Sequence, residues 1–588
     1  MDGKCNISHK SYKPEQVTAG GTFAILILAS PSLGHPTKLK HSQFLREKSP
    51  VLANPENPRL HLSVKPHMDS LSTPITQPIP MKTKKNLFHP FCATAFAVVA
   101  FAISSSAHAQ SWVGAGADAS WGTAGNWDTP PTFGTTADLS FPTDAGLTSG
   151  TTTFLGVGRQ VRSLTFGADL DTAFSVILSN SLTAVADNRL TFANTTSNSI
   201  NVLTGSTGNI NIGNPTGLAL SGSPASTIQL SGNLTVDHNG SGLLTLSRPI
   251  STASAFSLTK TGIGTLQSNN NNLITGALNV NGGRLIANSF TTAGDFNAVS
   301  AINLGGGALQ YNVNSAGNKT VSPALNVTAT SILTYNNTDT GVNRSLNFTG
   351  ANSFDLAANL TVQNISAGTT FANIINIARN ITGTGPMIVE GYNNINAGTS
   401  SFNLGRVAIA GVNTGWSGGL QIRKGAAEVY GNYATTDQRL GTGDIILGTT
   451  ANSFGAGLLL SADKGNGNKA YANNIIVRTG GFRTIRGGSD HSYTFSGSIA
   501  LEGDLNVHNG LYFIDKLMSL TGNISGAGDL NVTAGTLGFI TRLSGDNSLW
   551  SGDLMVSQGT VNFFGTANTS GTGDIVIGAT DDATAASL

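Results

Sequence analysis

The chain has 588 residues, of which 72 are Gly and only 11% are charged, against about 25% charged in ordinary globular domains. That balance excludes a coiled coil and a charge-driven disordered chain, both of which need abundant Lys, Glu or Arg. A net charge of +1 offers no basic excess for a phosphate backbone, so nucleic acid is not an expected partner.

Residues 1–80 are rich in Pro, His and Lys, show no sustained periodicity, and read as a disordered leader upstream of the true start. Residues 81–109 carry the three parts of a secretory signal peptide. These are the basic Met81-Lys82-Thr83-Lys84-Lys85, an uncharged apolar run at 91–103, and the small-x-small site Ala107-His108-Ala109. Cleavage is expected between Ala109 and Gln110; a membrane anchor would need about 20 apolar residues, and this run is too short. The charge changes at the same boundary. Residues 1–109 hold twelve Lys and Arg against five Asp and Glu, leaving twenty against twenty-six, a net −6, in 110–588. Cys5 and Cys92 both precede the cleavage site, so the exported chain is expected to lack disulfides, Cys metal sites and a Cys nucleophile.

Residues 110–250 open on Trp112, Trp121 and Trp127, expected to cap the N-terminal end and lead into the first β coils. Residues 251–588 repeat themselves. Asn547, Trp550, Ser551, Gly552, Leu554, Val556 and Gly559 recur 134 residues upstream as Asn413, Trp416, Ser417, Gly418, Leu420, Ile422 and Gly425. A third copy reads Asn271, Ile274, Thr275, Gly276, Leu278, Val280 and Gly283, with Ile in place of Trp. A second unit follows the last two copies (Gly441-Thr442-Gly443-Asp444-Ile445 and Gly571-Thr572-Gly573-Asp574-Ile575). A third unit precedes them (Ile381-Thr382-Gly383-Thr384-Gly385 and Ile524-Ser525-Gly526-Ala527-Gly528).

Each copy reads as strand, corner, strand. Leu554 and Val556 alternate with polar neighbours at period two, and Thr560-Val561-Asn562-Phe563 resumes the alternation after Gly559. Gly283, Gly425 and Gly559 suit corners that need φ > 0. Asn-rich corners such as 269–272 place side chains where stacked coils share hydrogen bonds. The expected fold is all-β, a right-handed parallel β-helix of short Gly- and Asn-punctuated strands; β-sandwich-like repeats are the alternative.

No catalytic, cofactor or metal site stands out. His238, His491 and His508 are the three histidines after the signal; none has a partner at metal-ligand spacing, and all three read as solvated loop residues. Asp581-Asp582 falls in a loop, and Asp444 and Asp574 occupy equivalent corners, which marks them as structural and not as a glycosidase pair. Trp416 and Trp550 read as core, since Ile274 fills the same slot. Arg478, Arg483 and Arg486 around Phe482 form the densest basic run and read as a solvated face, with an acidic glycan as the functional option.

The segment Leu258-Thr259-Lys260-Thr261-Gly262-Ile263-Gly264-Thr265-Leu266, followed by 271–283 and Leu285, resembles the autotransporter-associated β-strand repeat of bacterial passenger domains. The copies at 413–425 and 547–559 match its second half and lack the Lys-x-Gly-x-Gly opening. Trp112, Gly116, Trp121, Asn126 and Trp127, followed by Pro130-Pro131, are similar to the leading segment of such proteins. The resemblance implies an exported β-helix at the cell surface, on the outer membrane or outside the cell, carried through that membrane by a C-terminal β-barrel. Residues 578–588 align with 448–458, so a barrel is expected beyond Leu588 and not before it. The expected role is non-enzymatic, structural or adhesive, toward a cell-envelope, glycan or host-surface ligand. The alternative is a secreted polysaccharide-binding or polysaccharide-degrading β-helix.

Overall fold

The computed structural model describes residues 109–588 except 117, 144–150, 180–187, 214–226, 270–271, 289–295, 314–316, 339–341, 343, 367–372, 392–404, 432–438, 452, 463–467, 489–490, 510–516, 535–538, 566–568 and 579–585. The leader 1–80, signal residues 81–108, Asn271, Asp581 and Asp582 lie outside the described residues.

Short strands alternate with tight corners, and each strand pairs with the strand one coil away. Asn233–His238, Leu243–Leu246 and Ile250–Thr252 make one coil of three faces. The next coil opens with Leu258–Thr261, paired in parallel with Asn233–His238 through Leu234↔Leu258 and Val236↔Lys260. The first face is an eleven-stranded sheet from Gln110–Ser111 to Ile381–Thr382. From Lys469–Tyr471 onward its place in the coil order is taken by a six-stranded sheet. Every ladder between named strands among the described residues is parallel, and the one antiparallel contact is the isolated bridge Trp112↔Trp127. A β-sandwich is built from antiparallel sheets, so that alternative is set aside and a parallel β-helix stands.

Period-two alternation explains the burial. In Leu554–Val556 the outer residues point inward and Met555 outward, and Ile228–Leu230, Leu278–Val280 and Ile499–Leu501 repeat the pattern. Stacking places like on like, Leu234 on Leu258 on Leu278 on Ile302, and one apolar cluster runs from Trp112 to Val561. Each coil's inward row is covered only by its neighbours, which makes stability a sum of nearest-coil terms.

The corners turn where the sequence places glycine. Gly283, Gly425 and Gly559 have φ of +56°, +76° and +93°, a region where a Cβ is costly. Leu420–Gly431 bends through Gly425, its first half pairing with Met387–Glu390 and its second with Arg406–Ile409, so one strand serves two faces. At the N-terminal end, Trp112, Trp121 and Trp127 are buried, with Trp127 edge to face on Trp112 and Trp121 and all three rings tilted against Phe141. The Trp121 indole N–H donates to Thr153 Oγ1 at 3.0 Å and that of Trp127 to the Trp121 carbonyl at 3.0 Å.

Candidate functional site

The three conserved units of the duplicated module are three layers of one stack. In the lower layer, Gly385 and Gly528 present their carbonyls upward. In the middle layer, Trp416 and Trp550 are fully buried and donate their indole N–H to those carbonyls, each at 3.0 Å. In the upper layer, the Thr442 and Thr572 amides close on the Trp416 and Trp550 carbonyls, each at 2.9 Å. Gly418 and Gly552 sit so close above the lower layer that a Cβ would meet the Gly385 or Gly528 carbonyl oxygen at 2.0 Å.

An Asn holds the entrance to each middle layer. Asn413 Oδ1 accepts the Ile381 amide at 2.7 Å, and Asn547 Oδ1 accepts that of Ile524 at 2.8 Å. In the first copy the equivalent cap is Asn272, which accepts the Ile250 amide at 2.9 Å. Asn272 lies two residues nearer the bridge than its counterparts. There Leu273 pairs with Ser251, against Trp416 with Gly383 and Trp550 with Gly526. The first copy has one residue fewer in the turn, and Ile274 still reaches the buried slot. The capped strands Ile250–Thr252, Ile381–Thr382 and Ile524–Gly526 belong to the third, first and second faces in turn. Each later copy therefore sits one face further round, and the same corner chemistry serves all three corners.

Outside this stack, polar side chains run in ladders along the coils. Asn279 donates to Thr259 Oγ1 at 3.1 Å, Asn303 to Asn279 Oδ1 at 2.8 Å, and Asn326 to Asn303 Oδ1 at 2.8 Å. The Asn ladder thus lies on a strand face as well as at corners. Asp504, Asp529 and Asp553 each accept, through Oδ1, the amide of the next Asp up, ending at Asp574, over 2.8–3.0 Å. Asp444 Oδ1 accepts from Asn474 at 3.1 Å. Asp444 thus joins two coils through its carboxylate, and Asp574 through its backbone amide.

Two expectations are corrected. The histidines are not solvated loop residues: His238 ends a strand and is 1% exposed, His491 is buried, and His508 is half-buried within Leu505–Asn509. The cause is visible in the Lys-x-Gly-x-Gly segment one coil up, where a Cβ at Gly264 would stand 1.5 Å from His238 Nδ1, so the glycine makes the space for the ring. Burial pulls the His238 pKa down to about 4, aided by the nearby Lys260 ammonium and opposed by Asp237. Burial does the same to His508, to about 4, with Arg486 adding to it.

The Arg478–Arg486 run is a solvated face only in part, since Arg478 and Arg486 are partly exposed and Arg483 is not. Arg483 is fully buried and donates to the carbonyls of Phe454, Thr449, Thr479 and Arg478. Arg478 makes a partly exposed pair, 2.5 Å from Glu502.

Buried cations serving carbonyls are what sequence reasoning missed. Arg379 donates to the carbonyls of Thr349 (2.8 Å), Val321 (2.5 Å) and Pro323, spanning three coils. Lys260 donates to Thr261, to Gly262 at 3.0 Å and to Gly282 at 3.4 Å, and burial pulls its pKa down to about 8. The Lys of the Lys-x-Gly-x-Gly opening was the one available signal. Nothing around Arg379 in the sequence separates it from a surface Arg.

Among the described residues, no group of three or more His, Cys, Asp or Glu side chains converges, and no helix is long and apolar enough to cross a membrane. Trp416, Trp550, Asn413, Asn547, Arg379 and Arg483 are engaged with backbone groups of adjoining coils, as in a structural scaffold. Comparison with models of protein families, with curated proteins and with solved structures finds no match.

Proposed function

We propose that the chain is a non-enzymatic, exported passenger whose β-helix is a structural stalk, displayed at a cell surface with its connecting segments available for adhesion. The observation that carries this reading is the repeated three-layer stack. Its Asn, Trp and Gly positions are all used in joining coil to coil, a design for length and rigidity and not for turnover. Export is supported by the signal-like residues 81–109.

The test is an antibody against residues 110–588 applied to intact source cells with and without added protease. Loss of a cell-associated band on protease treatment, with a mature N-terminus at Gln110, is the expected result. A protected band retaining Met1 contradicts display.

A further inference from the structure

The outer surface carries a cleft of about 540 Å³ at the corner between the second and third faces, lined by Glu390, Gln421, Arg423, Lys424, Thr449 and Phe454. A break in the ladder builds it. Val389 pairs with Ile422, but Glu390 pairs with Lys424, so Arg423 is the extra residue of a β-bulge. A bulge re-aims side chains, and this one brings two cations to the same rim. Glu390 is tethered from below by Gln363 Nε2 at 2.9 Å and lies 3.5 Å from Arg423 Nη1. One coil up, Phe454 is 41% exposed, and Lys424 holds its ammonium 4.8 Å from the ring centroid. The Thr449 hydroxyl is buried with no hydrogen-bond partner among the described residues.

The chemistry selects a ligand class. Two cations against one carboxylate favour a single negative charge. Glu390 and Gln421 offer acceptors that sulfate cannot use, that phosphate meets with at most two hydroxyls, and that a polyhydroxylated ligand can fill. Phe454 offers an apolar surface to the C–H face of a sugar ring. The volume suits a small ligand and not a broad macromolecular interface. We infer that this cleft binds an acidic saccharide, a pyranose bearing a carboxylate, which pairs with Arg423 and Lys424 while its hydroxyls meet Glu390 and Gln421 and its ring lies on Phe454. The site stands on its own geometry and does not depend on how the chain reaches a surface.

The experiment is calorimetric titration of the full chain with tri-galacturonate, with maltotriose and inorganic phosphate as comparison probes. Tri-galacturonate is expected to bind at least about tenfold more tightly than either comparison probe, and Phe454→Ala and Arg423→Gln are each expected to weaken it by about tenfold. Lys424→Met, which keeps the stem, guards against a folding artefact in the other two, and circular dichroism checks all three. Absence of tri-galacturonate binding at millimolar concentration overturns the proposal. So does phosphate binding as tight as the saccharide's, which would mean that the cleft reads charge alone. Unchanged affinity in all three folded variants places any saccharide elsewhere and overturns it equally.

Discussion

Gly571 lies against the indole of Trp550: a Cβ added to it would stand 2.8 Å from the ring's Cε3 and 2.8 Å from the Trp550 carbonyl oxygen. Gly441 and Trp416 repeat the relationship, with a Cβ 2.3 Å from the carbonyl oxygen. The glycine that opens the upper layer is thus fixed by the tryptophan below it, and the two units are one structural object although more than twenty residues separate them.

Removing the indole should loosen three coils together. Trp550→Ala is expected to cost about 3–5 kcal/mol locally. Trp550→Phe, which keeps most of the apolar bulk but leaves the Gly528 carbonyl unpaired, is expected to cost about 1–3 kcal/mol. Hydrogen exchange should show protection lost in Ile524–Gly526 and Leu554–Val556 and kept in Leu278–Val280, because coupling in a solenoid falls off beyond the nearest coils. A uniform loss along the chain would contradict the layered stack.

Glycines of the two kinds should differ in their response to alanine. At Gly350, where a Cβ would meet nothing within 4 Å, the problem is backbone conformation alone, worth about 1–2 kcal/mol at φ +103°. At Gly552 a Cβ would meet the Gly528 carbonyl 2.0 Å away, so the coils must part. Gly552→Ala is therefore expected to lower the urea midpoint more than Gly350→Ala, and the reverse order would contradict the close approach of the coils at Gly552.

Arg379 reaches from its own coil to carbonyls of the two coils below it. Arg379→Met keeps the packing volume but strands those acceptors, at a cost of roughly 3 kcal/mol. Arg379→Lys, with no planar fork, is expected to recover only part of it. Urea denaturation followed by hydrogen exchange in Lys319–Val321 and Ser345–Phe348 reads the effect. A Met variant as stable as the parent would mean that water satisfies the carbonyls.

His238 makes stability depend on pH with a definite sign. Its folded pKa, about 4, lies below the ordinary 6.5, so the unfolded chain takes up the proton first as pH falls. Its contribution is complete above about pH 6.5, declines as pH drops toward 4, and is gone below that, a swing of about 3 kcal/mol. His238→Leu should flatten this part of the profile, leaving the share of His508, which titrates in the same window. Lys260→Met removes the neighbouring charge and is expected to raise the His238 pKa. Thermal midpoints at pH 7 and pH 4.5 test both, and an unchanged pH slope in His238→Leu would show that the ring is hydrated.

Much of the fold was legible because it is written in short-range pattern. Alternation at Leu554 and Val556, turning glycines at 283, 425 and 559, and the recurrence of Asn-x-x-Trp-Ser-Gly all have local causes, and each holds in the structure. The vertical partner of a residue is set by the number of residues in each coil, and that number varies. Sequence alignment therefore pairs Asn271 with Asn413, whereas Asn272 makes the capping bond. For the same reason the burial of His238, Arg379 and Arg483 was hidden. What buries them is the glycine or carbonyl one coil away, not a neighbour in sequence. The cleft at Arg423 was equally invisible, since a bulge is a mismatch between two strands and neither strand records it alone.

The parallel stacking register defines this fold, and oxidative cross-linking reads it directly. In a chain with Cys5 and Cys92 replaced by Ser, cysteines at Asn531 and Met555, in-register partners on adjacent strands with side chains facing outward, should form a disulfide readily under mild oxidation. Cysteines at Asn531 and Ser551, which close a loop of similar length without sharing a rung, should not. The first pair linking and the second failing is the result expected of this β-helix. Equal linking of both, or linking of the second alone, would contradict it.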